Sequence, residues 1–239
     1  MAAADSGALS ATRRTLHVVA EHVLMPDFHD RTCRIGLRPA AGGFATPPYA
    51  HPEGFTRRLR VDGTDVVDER DGRSVTRVPL TTPATLGAVR SALGITAEAP
   101  ADIYDLGSDG TPTQRLLVDP ASTAVVADLF AATDEALTAL RAEAEAEPGR
   151  AGPDEGIGSI QLWPEHFDVA CSIDEVTFGA SPGDDDHPEP YLYVAPWEDP
   201  RRGGFGNEPF GASRPALPVP SATEALIWFR HTRAAAMAR

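Results

Sequence analysis

Residues 55–80, FTRRLRVDGTDVVDERDGRSVTRVPL, decide the fold class of this chain. Two Asp-Gly dipeptides, Asp62-Gly63 and Asp71-Gly72, separate three segments that each have the length of a β-strand. Asp-Gly favours the two-residue turns of β-hairpins, because such turns need backbone conformations with positive φ. The segment therefore predicts a three-stranded antiparallel meander.

Further strands and two long helices are expected on the C-terminal side of the meander. Residues 167–172 and 174–180 predict a hairpin, and YLYVAPW predicts another strand. Residues 120–147 lack internal Gly and Pro and predict the longest helix, and residues 221–236 predict a terminal helix. Because the strands come in consecutive groups, we expect an α+β fold, with a mainly antiparallel sheet covered by the long central helix and the C-terminal helix.

The N-terminal region predicts a disordered leader over residues 1–8, followed by a single α+β domain over residues 9–239. A first helix is expected from Ser10, and Pro26 is expected to end it, because proline cannot continue the helical hydrogen bonds. His17 and His22 lie five residues apart on this helix, which predicts that they face different sides.

All 21 basic residues are arginine, and the formal net charge is −14. The missing lysine fits GC-rich coding and excludes Schiff-base, phosphate-loop and Ser-Lys chemistry. Residues 121–199 hold 18 acidic residues and two arginines. So negative a field disfavours nucleic acid and membrane as partners and favours cationic ligands or metal ions.

The two cysteines, Cys33 and Cys171, match no metal-binding spacing and make no disulfide framework. We expect both to be buried or half-buried thiols. The N-terminus has no apolar core after a basic start, so no signal peptide is expected. These features predict a cytoplasmic location.

The segment QLWPEHFD, residues 161–168, concentrates groups that bind ligands. Histidine beside acidic residues can act as a general base or a metal ligand. His166 and Asp168 also have the His-x-Asp spacing of iron sites that use two histidines and one carboxylate, with His187 or His231 as the third ligand. A hydrogen-bonded histidine at a strand edge is the structural alternative. The predicted ligand-binding residues are Trp163, Glu165, His166, Asp168, Tyr191 and Arg201.

The segment SPGDDDHPEPY, residues 181–191, places three aspartates before a histidine. Neighbouring carboxylates repel one another unless a cation neutralises them, so a divalent metal ion is a candidate cofactor. A solvated acidic loop stiffened by proline is the structural alternative. The predicted metal ligands are His166, Asp184, Asp186 and His187, because the intervening hairpin would return both segments to one edge of the sheet.

Two arginine groups are candidates for recognising carboxylate or phosphate, since arginine binds such groups bidentately. The first is Arg57, Arg58 and Arg60 in the meander. The second is Arg201 and Arg202, for which pairing with the preceding acidic residues is the alternative.

At QLWPEHFD and SPGDDDHPEPYLYV the chain resembles a family of uncharacterised proteins common in high-GC bacteria. The segments TLHVVAEHVL and RIGLRP also resemble that family, and the similarity runs from about residue 16 to residue 229. Trp163 and FDVA are similar to a second family of unknown function, which carries a Phe-Asp-Leu-Ala strand. Neither resemblance implies an activity.

Three functions follow from these patterns as hypotheses. The first is binding of a small molecule or a cation by an acidic surface that contains His and Trp. The second is a metal-dependent enzyme, of hydrolase or oxygenase type, that uses His166, His187 and carboxylates. The third is an interaction module whose acidic face docks a basic partner.

Overall fold

The computed structural model describes residues 5–149, 155–198 and 206–237. Helices and antiparallel sheets build the chain, which confirms the α+β fold class. Within these described residues, no helix is both long enough and apolar enough to cross a membrane.

Two compact units make up the chain: residues 1–128 with 162–167, and residues 129–161 with 168–239. The single domain expected over residues 9–239 stays a prediction.

A helix in three parts opens the first unit. Helix α1, Ser6–Val19, runs into a π-helical turn, Ala20–Leu24, and then into helix α2, Met25–Thr32. The expected disordered leader is therefore helical from Ser6 onwards, and residues 1–4 lie outside the described residues.

The prediction that Pro26 ends the first helix is wrong, because Pro26 lies in the first turn of α2. Proline removes one helical hydrogen bond and crowds the carbonyl four residues earlier, which here belongs to His22. The π-helical turn is wider than an α-helical turn, and it accommodates the lost hydrogen bond and the crowding. The His22 carbonyl instead accepts a hydrogen bond from Nη1 of Arg90 at 3.1 Å. The helix thus continues past the proline.

The predicted meander is confirmed. Strands β4 (Thr56–Asp62), β5 (Asp65–Arg70) and β6 (Arg73–Pro79) pair in antiparallel order. Asp71 and Gly72 form the second turn with φ of 49° and 76°, as a type I′ turn requires. Strands β1 (Arg38–Ala40), β2 (Gly43–Ala45) and β3 (Tyr49–Ala50) extend the sheet, in the order β1–β2–β4–β5–β6, with β3 also beside β4.

Three short elements and a long loop complete the first unit. Strand β7 (Ala84–Thr85) leads into helix α3 (Leu86–Ala92) and pairs with strand β8 (Arg115–Leu116). The loop between α3 and β8 supplies residues 104–110, which lie against the first helix. Residues 162–167 join this unit through two hydrogen bonds between Leu37 and Leu162.

A buried ion-pair network holds the meander against α2. Arg57 is 2% exposed and donates to Asp27 at 2.9 Å and to both oxygens of Asp68 at 3.0 and 3.1 Å. Nη2 of Arg57, one of the two nitrogens that donate to Asp68, also donates to the Leu93 carbonyl at 2.5 Å. The Tyr49 hydroxyl also donates to Asp27, at 2.5 Å. Arg57 therefore joins parts of the first unit, and its guanidinium is fully engaged inside the protein.

The second unit contains the confirmed hairpin, the predicted C-terminal helix and the larger part of the predicted long helix. The boundary between the two units falls within helix α4 (Pro120–Glu145), after Asp128. It also falls within strand β9 (Gln161–Trp163), after Gln161. Strands β10 (Asp168–Ile173), β11 (Val176–Ser181), β12 (Tyr191–Pro196) and β13 (Ala212–Pro215) are antiparallel neighbours in that order. Helix α5 (Ala222–Met237) packs on β11 and β12, where Phe229 meets Phe178 edge to face.

Side chains from α5 neutralise the acidic end of α4. Arg230 pairs with Glu143, and Arg233 pairs with Glu147. These pairs offset the unfavourable effect of carboxylates at a helix C-terminus. The N-terminus of α5 carries a capping box, in which Ser221 and Glu224 bond each other's backbone N–H at 3.3 and 2.9 Å.

The cysteine prediction is correct for Cys171, which is buried, and wrong for Cys33, which is exposed. Cys33 is the C-terminal cap of α2, in a left-handed conformation with φ of 55°.

Candidate functional site

A fully buried carboxylate lies in the π-helical turn of the first unit. Glu21 has 0% of its surface exposed. Its Oε1 accepts the backbone N–H of Gly107 at 2.8 Å, and its Oε2 accepts the Ser108 hydroxyl at 2.5 Å. Hydrogen bonds of this kind stabilise a buried negative charge. The loop between α3 and β8 therefore holds the Glu21 carboxylate in place.

Two histidines flank this carboxylate. Nε2 of His17 lies 3.8 Å from Oε2 of Glu21, and Nε2 of His22 lies 3.7 Å from the same atom. The expectation that these histidines face different sides is wrong. In a regular α-helix, residues five apart differ by about 140° in direction. The i→i+5 hydrogen bonds of a π-helical turn widen it, so that residues five apart come round to a common side.

The His17 ring is fixed on two sides. It stacks on Phe167 with 5.3 Å between ring centroids, and it hydrogen-bonds the backbone of Pro164. Its buried Nε2 has no hydrogen-bond partner, so Nδ1 makes the bond to Pro164. Burial is the largest cause that lowers the pKa of His17 to about 4, while the Pro164 bond opposes it. At neutral pH the ring therefore presents an unprotonated Nε2 towards Glu21.

His22 has a different environment from His17. Its Nε2 lies 3.0 Å from the Ser108 carbonyl oxygen, which fixes Nε2–H as the donor, since a carbonyl can only accept. Both histidines are thus placed by backbone carbonyls, but only Nε2 of His17 is left without a partner.

Tyr104 and Glu165 of the same unit each carry a buried polar atom, and both are coupled electrostatically to Glu21. The Tyr104 hydroxyl and Oε2 of Glu165 have no hydrogen-bond partner. Burial raises the pKa of Tyr104, and the charges of Glu21 and Glu165 raise it further. Burial likewise raises the pKa of Glu165. The backbone N–H of Glu165 and the neighbouring His166 lower this pKa, and Glu21 raises it further. The charge of Glu21 thus raises the pKa of both Tyr104 and Glu165.

Two glycines let the loop approach the histidines. A Cβ atom on Gly107 would lie 2.0 Å from the Glu165 carbonyl oxygen and 2.8 Å from Cε1 of His17. A Cβ atom on Gly110 would lie 2.2 Å from Nδ1 of His22. All three distances are shorter than a van der Waals contact. We call His17, Glu21, His22, Tyr104, Ser108 and Glu165 the helix–loop site.

Sequence reasoning finds one member of this site and misses five. Glu165 is predicted as a ligand-binding residue, whereas Gly107-Ser108-Asp109-Gly110 indicates only a turn. A glycine on either side of a Ser-Asp pair is the one local signal of close backbone approach. The π-helical turn has no such signal except the proline that follows it.

Two other predicted residues lie beside the helix–loop site in the first unit. Trp163 is half-buried, and its carbonyl accepts the N–H of Phe167 at 2.7 Å. His166 is exposed, and it is among the residues that lower the pKa of His17 and of Glu165. Trp163, Glu165 and His166 thus lie near one another in sequence and in this unit.

The remaining predicted residues within the described range belong to the second unit. Asp168 is buried and accepts a short hydrogen bond from the Tyr193 hydroxyl. Tyr191 donates to Oδ2 of Asp184 at 2.6 Å, while Oδ1 of Asp184 accepts the N–H groups of Asp186 and His187 at 2.9 and 2.6 Å. Asp184 therefore orders its own loop, and the Asp186 side chain is exposed.

The predicted metal site gains no support from the geometry. Across residues 5–149, 155–198 and 206–237, no three His, Cys, Asp or Glu side chains are grouped to hold a metal ion. Both oxygens of Asp184 already accept hydrogen bonds. Metal binding by His166, Asp184, Asp186 and His187 stays a prediction. The predicted ligand residue Arg201, with Arg202, lies outside the described residues.

Comparisons of the chain with protein-family models, with curated proteins and with solved structures found no match. The resemblance at QLWPEHFD and SPGDDDHPEPYLYV therefore stays a prediction. The function of the chain has to be inferred from its own side chains and their surroundings.

Proposed function

We propose that the first unit binds a small molecule carrying a protonated primary amine, and that the helix–loop site receives the ammonium group. The observation that carries this proposal is the set of three buried, unpaired polar atoms: Nε2 of His17, the hydroxyl of Tyr104 and Oε2 of Glu165.

Acceptors that face each other call for a donor. Nε2 of His17 carries a lone pair at neutral pH, and it lies 3.8 Å from the Glu21 carboxylate. A lone pair and a carboxylate repel each other unless a hydrogen-bond donor stands near both. An ammonium group has several N–H donors and no acceptor, so it can serve both groups at once.

Glu165 adds a third acceptor and a second carboxylate. A buried polar atom without a partner costs about 1–3 kcal/mol, which a ligand donor recovers on binding. The raised pKa of Glu165 has burial as its first cause and Glu21 as a contributing one. A bound cation reverses the effect of Glu21, because it stabilises both carboxylates in their charged form.

An organic ammonium fits these distances better than a metal ion does. Ammonium hydrogen bonds span about 2.7–2.9 Å and tolerate spread-out acceptors. Transition metals need several ligand atoms at about 2.0–2.3 Å from one point. Among the described residues, no three His, Cys, Asp or Glu side chains meet the requirement of a metal ion.

The proposal is tested by titrating the full-length protein with n-butylammonium, observed by NMR or calorimetry. We expect saturable binding, with 1-butanol binding at least tenfold more weakly because it lacks the charge. Glu165→Gln and Tyr104→Phe should each weaken butylammonium binding at least fivefold. Glu53→Gln is the matched control, since Glu53 is an exposed carboxylate of the same unit.

Two results would overturn the proposal. One is the absence of saturable butylammonium binding to the wild-type protein. The other is an equal affinity of Glu165→Gln and Glu53→Gln, both shown to be folded by circular dichroism.

A further inference from the structure

Four aromatic rings of the second unit form a closed group. None of them belongs to the helix–loop site. Tyr191 and Tyr193 are two residues apart on β12 and so share one face of the sheet. His187 comes from the loop before β12, and Phe210 from the segment before β13. We call these four rings the aromatic group.

Each ring of the aromatic group contacts two others in a circuit. The centroids lie 5.0 Å apart for His187–Tyr191 and 6.1 Å for Tyr191–Tyr193. The circuit closes through Tyr193–Phe210 at 6.4 Å and Phe210–His187 at 6.0 Å. The interplanar angles range from 45° to 84°, so the rings are inclined to one another and not stacked flat.

Three of these rings contact a carboxylate through their polar atoms. Tyr191 donates to Asp184 at 2.6 Å, and Tyr193 donates to Asp168. Nε2 of His187 lies 3.3 Å from Oε1 of Glu208. A phenol that donates to a carboxylate is polarised towards the phenolate, which makes its ring more electron-rich.

The phenols keep their protons over the physiological range. Burial raises the pKa of Tyr191 and of Tyr193, and the neighbouring carboxylates raise both further. The rings therefore stay neutral donors to Asp184 and Asp168, and the negative charge of the group comes from the carboxylates.

Hydrogen bonds of the backbone and of side chains order the segments that carry the aromatic group. Asp184 accepts the N–H of His187 at 2.6 Å, which fixes the loop that carries this ring. Glu208 and Gly211 pair through two backbone hydrogen bonds around Phe210. Ser213 donates to Glu208 at 2.7 Å. Such prior ordering lowers the entropic cost of binding.

We propose that the aromatic group binds a quaternary ammonium ion of the trimethylammonium class. Such a cation has no N–H to donate and is bound through the faces of aromatic rings, within about 6 Å of their centroids. In this proposal the cation lies above the middle of the circuit and contacts the four rings. The side chains are half-buried, so they present surface to solvent, and the three carboxylates add a favourable field.

Choline is the probe, and 3,3-dimethyl-1-butanol is its neutral isostere. We expect the full-length protein to bind choline saturably, at least tenfold more tightly than the isostere, with chemical-shift changes at Tyr191 and Tyr193. Phe210→Leu should weaken choline binding at least fivefold. Phe55→Leu, which removes a half-buried ring of the first unit, should leave choline binding unchanged.

The two proposed sites are separable by their ligands. Glu165→Gln should leave choline binding intact, and Phe210→Leu should leave butylammonium binding intact. Equal affinity for choline and its neutral isostere would overturn the assignment. So would unchanged choline binding in a folded Phe210→Leu protein, or the absence of saturable binding to the wild type.

Discussion

Replacing Arg57 by Met tests whether this arginine is a structural ion-pair centre. The change leaves Asp27 and Asp68, which are 2% and 1% exposed, as buried carboxylates without their main counter-charge. It also leaves the Leu93 carbonyl without its donor. Breaking a buried ion pair on one side costs about 3–5 kcal/mol, because the remaining charge is uncompensated. Tyr49, Arg31 and Arg70 still contact the two carboxylates, so we expect a loss at the lower end, about 3 kcal/mol.

Urea unfolding followed by circular dichroism measures this loss directly. Arg73→Met is the matched control, because Arg73 lies exposed on the same sheet, and its cost should stay below about 0.5 kcal/mol. A cost for Arg57→Met below about 1 kcal/mol would refute the reasoning.

The pH dependence of the Arg57→Met protein adds a second readout. Burial alone would raise the pKa of Asp27, but the Tyr49 hydrogen bond and the Arg57 charge lower it overall. A carboxyl group with a lowered folded pKa stabilises the native state above its unfolded value, and that contribution is lost as the pH falls through the folded pKa. The difference between wild type and variant should therefore shrink in acid. A difference that grows in acid would contradict the assignment.

Three further predictions concern the helix–loop site and its supports. His17→Phe should make the stability of the protein less dependent on pH in acid. A histidine with a lowered folded pKa destabilises the native state as the pH falls from 6.5 towards about 4. Urea unfolding at pH 7, 5 and 4 measures the change. Retention of the full wild-type slope would count against this. Gly107→Ala should lower the free energy of unfolding by at least about 2 kcal/mol, because a Cβ atom has no room there, whereas Gly7→Ala in α1 should raise it by about 0.5–1 kcal/mol. Thermal unfolding compares the two variants. Equal effects would contradict the close approach of the loop to His17. Arg90→Met should cost about 1–3 kcal/mol by leaving a helix carbonyl unpaired, but less in a Pro26→Ala background, which restores the backbone donor. Strictly additive losses in that double-mutant cycle would exclude the compensation.

The sequence predicts correctly those elements that form through interactions between neighbouring residues, and it fails where distant residues interact. The meander, the hairpin at β10–β11 and the two late helices depend on neighbouring residues, such as Asp71-Gly72 and the box of Ser221 and Glu224. Local sequence predicts elements of this kind well. The path through Pro26 depends on Arg90, which lies 68 residues from the carbonyl it contacts, and no local pattern reports such a contact.

The site shows the same division. Glu165 attracts notice because it lies in a dense block of acids and histidine, and it lies in the helix–loop site. Glu21 and His22 look like ordinary helix residues, and Ser108 looks like part of a turn. They meet across 86 and 87 residues of sequence through hydrogen bonds that only the folded chain brings about.

The sequence by itself thus determined the α+β class, the strand order within each hairpin, the acidic charge and the absence of lysine chemistry. These properties follow from composition and from hydrogen bonds between near neighbours. The tertiary structure alone decided that His17 and His22 flank one buried carboxylate, that Arg57 is engaged inside the protein, and that four rings of the second unit form a circuit. The physical reason is burial: which polar atoms lose water, and which partners they find, depends on residues far apart in the chain.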